Sequence, residues 1–132
     1  RIFECLAWAG YLPDWPGPEE GERPTGYIII LGDKEISDAI DCDHGIAAQT
    51  IMLAAAETGL GGCILGSAKN EKMRQVLDLP DRYEIMLGIA LGYPKEKVVL
   101  EDVGPDGDIK YYRDEDQVHH VPKRRLEDIL IN

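Results

Sequence analysis

Four glycines, Gly59, Gly61, Gly62 and Gly66, fall within eight positions of the stretch TGLGGCILG. Main chain without side chains can approach a flat ligand closely. A dinucleotide fingerprint needs a strand, then G-x-G-x-x-G, then a helix. Here an alanine-rich helical stretch comes first, so a dinucleotide fold is excluded. The cluster reads either as a helix end with a tight turn or as a backbone wall for a planar group. A second pattern is Lys123-Arg124-Arg125, the one three-residue basic run in a chain of net charge −11. It is either a solvated tail balanced by Glu127 and Asp128 or a clamp for an anion such as a phosphate. Alternation in an extended arm predicts Lys123 and Arg125 on one side and Arg124 on the other.

Other reactive side chains make weaker patterns. Asp41, Cys42, Asp43 and His44 fit no zinc spacing, and capping or surface roles explain them. His119 and His120 are neighbours on an extended segment and point to opposite faces, one packed and one solvated. They cannot share a metal. No catalytic acid, base or nucleophile and no metal ligand set follows from spacing.

The elements that must position these residues are legible in outline. RIFECLAWAGYL has a helical apolar pattern without a cap. Residues 12–24 hold four of the eight prolines and two glycines and read as a loop. Residues 25–33 predict a buried, central strand, because the run is apolar on both faces. Residues 44–58 predict a helix with Asp43 as N-cap and Gly59 just past its end. Its isoleucines, Met52, Leu53 and five alanines wrap most of the circumference. Such a helix is buried on all sides, which in a small domain implies a second subunit. Residues 61–66 predict a short strand or an extended turn. Residues 70–79 predict an amphipathic helix with Met73, Val76 and Leu77 inward, and residues 83–94 a second apolar strand. VVLEDV extends an edge, and IKYYR with QVHHV forms a hairpin.

The bulk numbers exclude some classes. The chain has 132 residues, 44% hydrophobic and 30% charged, which suits one domain. Its acidity disfavours nucleic acid and anionic membrane surfaces. No apolar run approaches the ~20 residues of a membrane span. Three cysteines without C-x-x-C spacing predict a reducing, cytoplasmic setting.

Three stretches in order, GIAAQTIMLAAAETGLGGCILGS, EIMLGIALGYPKE and VPKRRLEDIL, resemble the C-terminal part of the nitroreductase family of FMN flavoproteins. The resemblance implies an α+β fold: a central, mainly antiparallel sheet flanked by helices, with a long buried helix at the interface of a homodimer. It implies FMN reduced by NADH or NADPH, with hydride passed to nitroaromatic, quinone or related acceptors. By position, Gly45 and the main chain of Gly61, Gly62, Ile64, Leu65 and Gly66 correspond to the flavin-lining backbone. Lys123 and Arg125 correspond to the residues that hold the FMN phosphate. No side chain need act as acid or base, since the flavin carries the chemistry. The family's N-terminal helix with an Arg-Arg-Ser type motif has no counterpart in these 132 residues. The chain is therefore expected to hold part of a flavin site and, by itself, to bind FMN weakly. The alternative is a non-catalytic module that dimerises or binds another small molecule.

Overall fold

The computed structural model describes residues 1–131. They form two compact units: one of Arg1–Trp8 and Gly17–Pro94, the other of Ala9–Pro16 and Lys95–Asn132.

The first unit is built on a three-stranded antiparallel sheet in the order β1-β3-β2. Its strands are β1 (Gly26–Asp33), β2 (Gly61–Leu65) and β3 (Tyr83–Gly92). The central strand is β3, where consecutive residues Ile85, Met86, Ile89 and Ala90 are all buried. Burial of neighbours that point to opposite faces means that both faces are covered. The run at 25–33 is therefore correctly a strand, but it lies at an edge. Hydrogen bonds and packing, not apolar content, select the middle strand, and in this sheet β3 alone pairs on both sides among the described residues. β1 slips register between Ile30 and Leu31. At its end Arg82 pairs with Asp33 and, at 2.8 Å, with Glu35, tying β1 to the start of β3. The Arg82 hydrogen bond holds the Asp33 carboxyl below the usual carboxylate range.

Helix α1 (Asp43–Glu57) packs on this sheet. Its N-cap is Cys42 rather than Asp43, and no side chain caps it. Thr58 and Gly59 close it, and Gly59 takes φ +78°, a conformation glycine adopts without strain. Only Ala48 and Ala55 of this helix are buried, while Ile46 and Leu53 are each 62% exposed. The expectation of a helix buried on all sides thus fails within the chain. One stripe touches the sheet, and the opposite apolar face is uncovered. Helix α2 (Glu71–Leu77) is amphipathic as expected, with Met73 fully buried and Val76 and Leu77 partly so. Met73 joins Cys5, Ala68 and Ile85 in a core cluster.

The N-terminal segment is not the helix its periodicity suggests. Only Phe3–Cys5 makes one 3-10 turn. Two side chains occupy the backbone groups a helix would use. Ser67 Oγ accepts from Ala7 N and donates to Ala7 O, both at 3.1 Å. Asn70 Nδ2 donates to Cys5 O at 2.8 Å.

The second unit is a three-stranded sheet of β4 (Val98–Asp102), β5 (Tyr112–Arg113) and β6 (His119–Lys123), in the order β4-β6-β5. β4 runs parallel to β6 and β5 antiparallel, so the 112–123 hairpin forms as expected. No described residue of this unit is buried. Aromatic and charged side chains hold it. Arg113 lies over the Trp15 ring at 4.4 Å and Tyr11 packs on Tyr111 at 4.9 Å.

Asn70 is the smallest change that tests the first unit. Its Oδ1 accepts from Met73 N at 2.8 Å and its amide also donates to Ser67 O at 2.6 Å. Asn70→Ala should destabilise the chain by about 1–3 kcal/mol, more than an ordinary cap, because a tertiary bond is lost with it. Thermal denaturation checks this, and a loss no larger than for Glu71→Ala would show that the tie to Cys5 contributes nothing.

Candidate functional site

The glycine cluster forms strand β2 and the turn after it. β2 is an edge strand, paired only with β3 among the described residues. Its Gly62, Cys63 and Ile64 are exposed, whereas Leu65 points into the core at 7% exposure. Edge backbone that pairs with no further strand offers N–H and C=O groups to a ligand. The glycines are needed for different reasons. A Cβ on Gly62 would sit 2.6 Å from Met52 Sδ and 2.9 Å from Leu91 Cδ2, so Gly62 lets α1 lie close to the sheet. A Cβ on Gly61 would meet Pro94 at 3.2 Å. Gly45 and Gly66 face open space instead. Packing accounts for the first pair, and it leaves Gly45 and Gly66 without a structural requirement.

Beside Gly45 the first unit carries an open cavity of about 430 Å³. Lys34, Ser37, Asp38, His44, Lys69 and Glu84 supply its polar lining. Lys69 and Glu84 face each other at 4.0 Å. His44 Nδ1 is buried without a hydrogen-bond partner among the described residues. Sequence spacing did not find Lys34, Lys69 or Glu84. They come from three separate elements, and only the sheet brings them together. His44, expected to cap or to lie at the surface, instead turns into this cavity.

The basic arm belongs to the second unit. Lys123 ends β6, and Arg124 and Arg125 follow it. Arg125 is held by acidic neighbours: Nε to Asp128 at 3.0 Å and Nη1 to Glu127 at 2.9 Å. The Asp128 hydrogen bond raises the Arg125 pKa further. Lys123 and Arg124 are exposed and have no ion pair among the described residues. Arg124 and Arg125 both line a hollow of about 470 Å³ with Gly104 and Pro105. Arg124 and Arg125 thus share one hollow, which strict alternation does not give, and β6 ends at Lys123.

The two histidines diverge as expected. His119 Nδ1 meets Glu96 at 3.2 Å, and His120 lies between Glu101 and Asp114. Neither is solvated, however: their side chains are only 17% and 16% exposed. Ring contacts with Tyr111 and Tyr112 cover them. No three-residue group able to hold a metal occurs among the described residues. The three cysteines form no disulfide with one another. No described helix is long and apolar enough to cross a membrane.

Residues 21–93, more than half of the chain, match the Nitroreductase family. The chain belongs to that family. The matched segment contains β1, α1, β2, α2 and β3, and so the glycine edge and the cavity; Lys123 and Arg125 lie beyond it. An NADPH-flavin oxidoreductase of Vibrio harveyi is 38% identical over 56 residues, 41% of this chain and 23% of that protein. An FMN reductase (NADPH) of Bacillus subtilis is 41% identical over 54 residues, 39% of this chain and 22% of that protein. Among solved structures, an FMN-dependent nitroreductase from Clostridium difficile superposes with a TM-score of 0.52 and 28% identity, over 73% of this chain and 57% of that one. The NADPH:FMN oxidoreductase of Vibrio harveyi, solved with NAD+, gives a TM-score of 0.50 at 22% identity, over 80% of this chain and 51% of that one. The match thus spans under a quarter of these curated relatives and about half of these solved ones. The nitroreductase-like α+β fold expected from the sequence is the fold observed.

The Arg125 ion pairs generate a prediction. An incoming anion must compete with Asp128 and Glu127 for the guanidinium. Asp128→Ala should tighten binding of inorganic pyrophosphate by roughly two- to fivefold, the scale of an exposed ion pair. Calorimetric titration measures it, and weaker binding would show that Asp128 orients Arg125 rather than opposing the ligand.

Proposed function

We propose that this protein is an FMN-dependent oxidoreductase that takes hydride from NADH or NADPH and passes it to a nitroaromatic, quinone or related acceptor. The observation that carries the reading is the exposed glycine-rich edge Gly61–Gly66 behind α1, inside the segment matched by the family. Names of the matched relatives support flavin and NADPH.

Each unit, taken by itself, carries groups of the kind that FMN needs. Lys123 and Arg124 are exposed cations without ion-pair partners among the described residues, and the Arg125 pairs are surface pairs an anion can replace. Gly66 and Gly45 carry no side chain and have open space where one would be. Lys123 and Arg125 would hold the phosphate. Gly45 and the main chain of Gly61, Gly62, Ile64, Leu65 and Gly66 would lie along the ring and ribityl chain. The flavin supplies the hydride transfer. The chain's own contribution is positional: backbone groups of an edge strand orient a planar group, and small residues let it approach.

A homodimer in the cytoplasm is part of the same reading. Ile46 and Leu53 on the outer face of α1 form an apolar surface in a very acidic chain. A second subunit is the natural cover for it. Ala55 faces the sheet, so charge placed there would disturb the fold; Leu53 separates assembly from folding.

Two outcomes check the proposal. Leu53→Glu should give a folded monomer where the parent chain is a dimer by light scattering. The unsatisfied carboxylate would cost the interface several kcal/mol, on the order of a buried unpaired charge. FMN should quench saturably on titration, and replacing Lys123 and Arg125 together by Ala should weaken it roughly 10- to 150-fold, as for lost charge-assisted hydrogen bonds. Absence of saturable FMN binding at millimolar flavin would favour a module for another ligand.

A further inference from the structure

The second unit contains a histidine placed between two carboxylates, which the proposed flavin chemistry does not use. His120 Nδ1 meets Glu101 of β4, and His120 Nε2 lies 3.0 Å from Asp114, just after β5. The Tyr112 ring of β5 stacks on the imidazole at 4.8 Å with an interplanar angle of 6°. Tyr112 also donates its hydroxyl to Glu101 at 3.1 Å. One imidazole thus engages all three strands of its sheet. β6, which carries it, is the middle strand and ends at Lys123.

A neutral imidazole donates through one nitrogen only. Its other nitrogen would then present a lone pair to a carboxylate. Both contacts are satisfied together only by the imidazolium. This unit has no buried apolar residue among those described, so such contacts form a large part of its cohesion. We infer that His120 is a positioning residue: as imidazolium it clasps β4 and β5 to β6 and so holds the Lys123–Arg125 arm in its anion-binding arrangement. The statement about anion binding rests on the proposed flavin reading; the clasp itself does not.

The hydrogen bonds to Asp114 and then Glu101 raise the His120 pKa, opposed by desolvation. A raised folded-state value means that the ordering is fully present below the ordinary histidine range and is lost as pH rises through the folded value. The Asp114 carboxyl is lowered, first by His120, so its contribution is present above the usual carboxylate range and lost as pH falls through the folded value. The clasp is closed between these limits. Glu101, Asp114 and Tyr112 are the titratable groups that face His120. The Tyr112 hydroxyl is raised, first by desolvation and then by Glu101, and keeps its proton throughout this window.

The test is hydrogen exchange of the full chain from pH 6 to 9.5, corrected for intrinsic rates, beside FMN titration under the same conditions. Protection of residues 98–102 and 119–123 should fall with rising pH, while that of 26–33 and 83–92 stays constant. The fall should be roughly tenfold for each unit by which the clasp raises the His120 pKa. FMN affinity should fall in the same step. His120→Gln keeps one hydrogen bond and the approximate shape, and should start at the weaker level without a pH step. Flat protection in the parent chain, or a step that persists in His120→Gln, overturns the clasp. An exchange step without FMN binding at any pH would leave the clasp standing and refute the flavin reading. FMN binding with flat exchange would do the reverse.

Discussion

Everything in the first unit depends on the burial of β3 on both faces. Ile85, Met86, Ile89 and Ala90 leave almost no surface to water, so each face needs its own cover. α1 packs on the sheet, and the turn Gly66–Ala68 also packs against β3. The fit is close at Gly88, where a Cβ would come within 2.8 Å of the Ala68 Cβ. Any larger side chain there would push the turn that carries Gly66 away from the sheet. The candidate ligand edge is therefore fixed by core packing as well as by its ladder with β3. Interiors this dense pass such displacements on rather than absorb them.

The second unit is organised by different physics. It lacks a buried core among its described residues and relies on stacked rings and compensated charges. Ion pairs at exposed positions contribute little singly. The pairs around His119 and His120 are better placed, with the rings largely covered. If His120 clasps this sheet, its order responds to pH more strongly than that of the first unit, where apolar burial dominates. The glycine edge sits on a stiff sheet, and the basic arm sits at the end of a sheet whose cohesion is electrostatic.

The apolar helix α1 links fold to assembly. Its inward stripe of Ala48 and Ala55 allows close approach to the sheet, and Gly62 removes the side chain that would oppose Met52. Its outward face is open and sets Ile46 and Leu53 among the exposed Asp43, Thr50 and Glu57. One face of α1 meets the sheet, and under the proposed reading a second subunit covers Ile46 and Leu53 on the other.

Much of this was legible in the sequence for local reasons. Gly59 ends α1, the β-branched run at 26–31 is a strand, and Met73, Val76 and Leu77 turn inward, because each depends on backbone preference or short-range periodicity. The family, too, was legible from three ordered stretches. The misreadings share one cause. The N-terminal segment has helical periodicity, yet Ser67 and Asn70 take its backbone groups from 60 and 65 residues away. The apolar run of β1 looked central, yet pairing made β3 the middle strand. Lys123 and Arg125 looked like alternate residues of one extended arm, yet β6 ends between them. The cavity lining of Lys34, His44, Lys69 and Glu84 comes from four places in the chain, and the His120 clasp from three strands. Spacing along a chain carries no information about contacts made across a sheet. The sequence by itself determined the family and the type of most elements, the N-terminal segment excepted. Which strand is central, which face of α1 is open and which charges meet were decided only when long-range pairing brought those groups together.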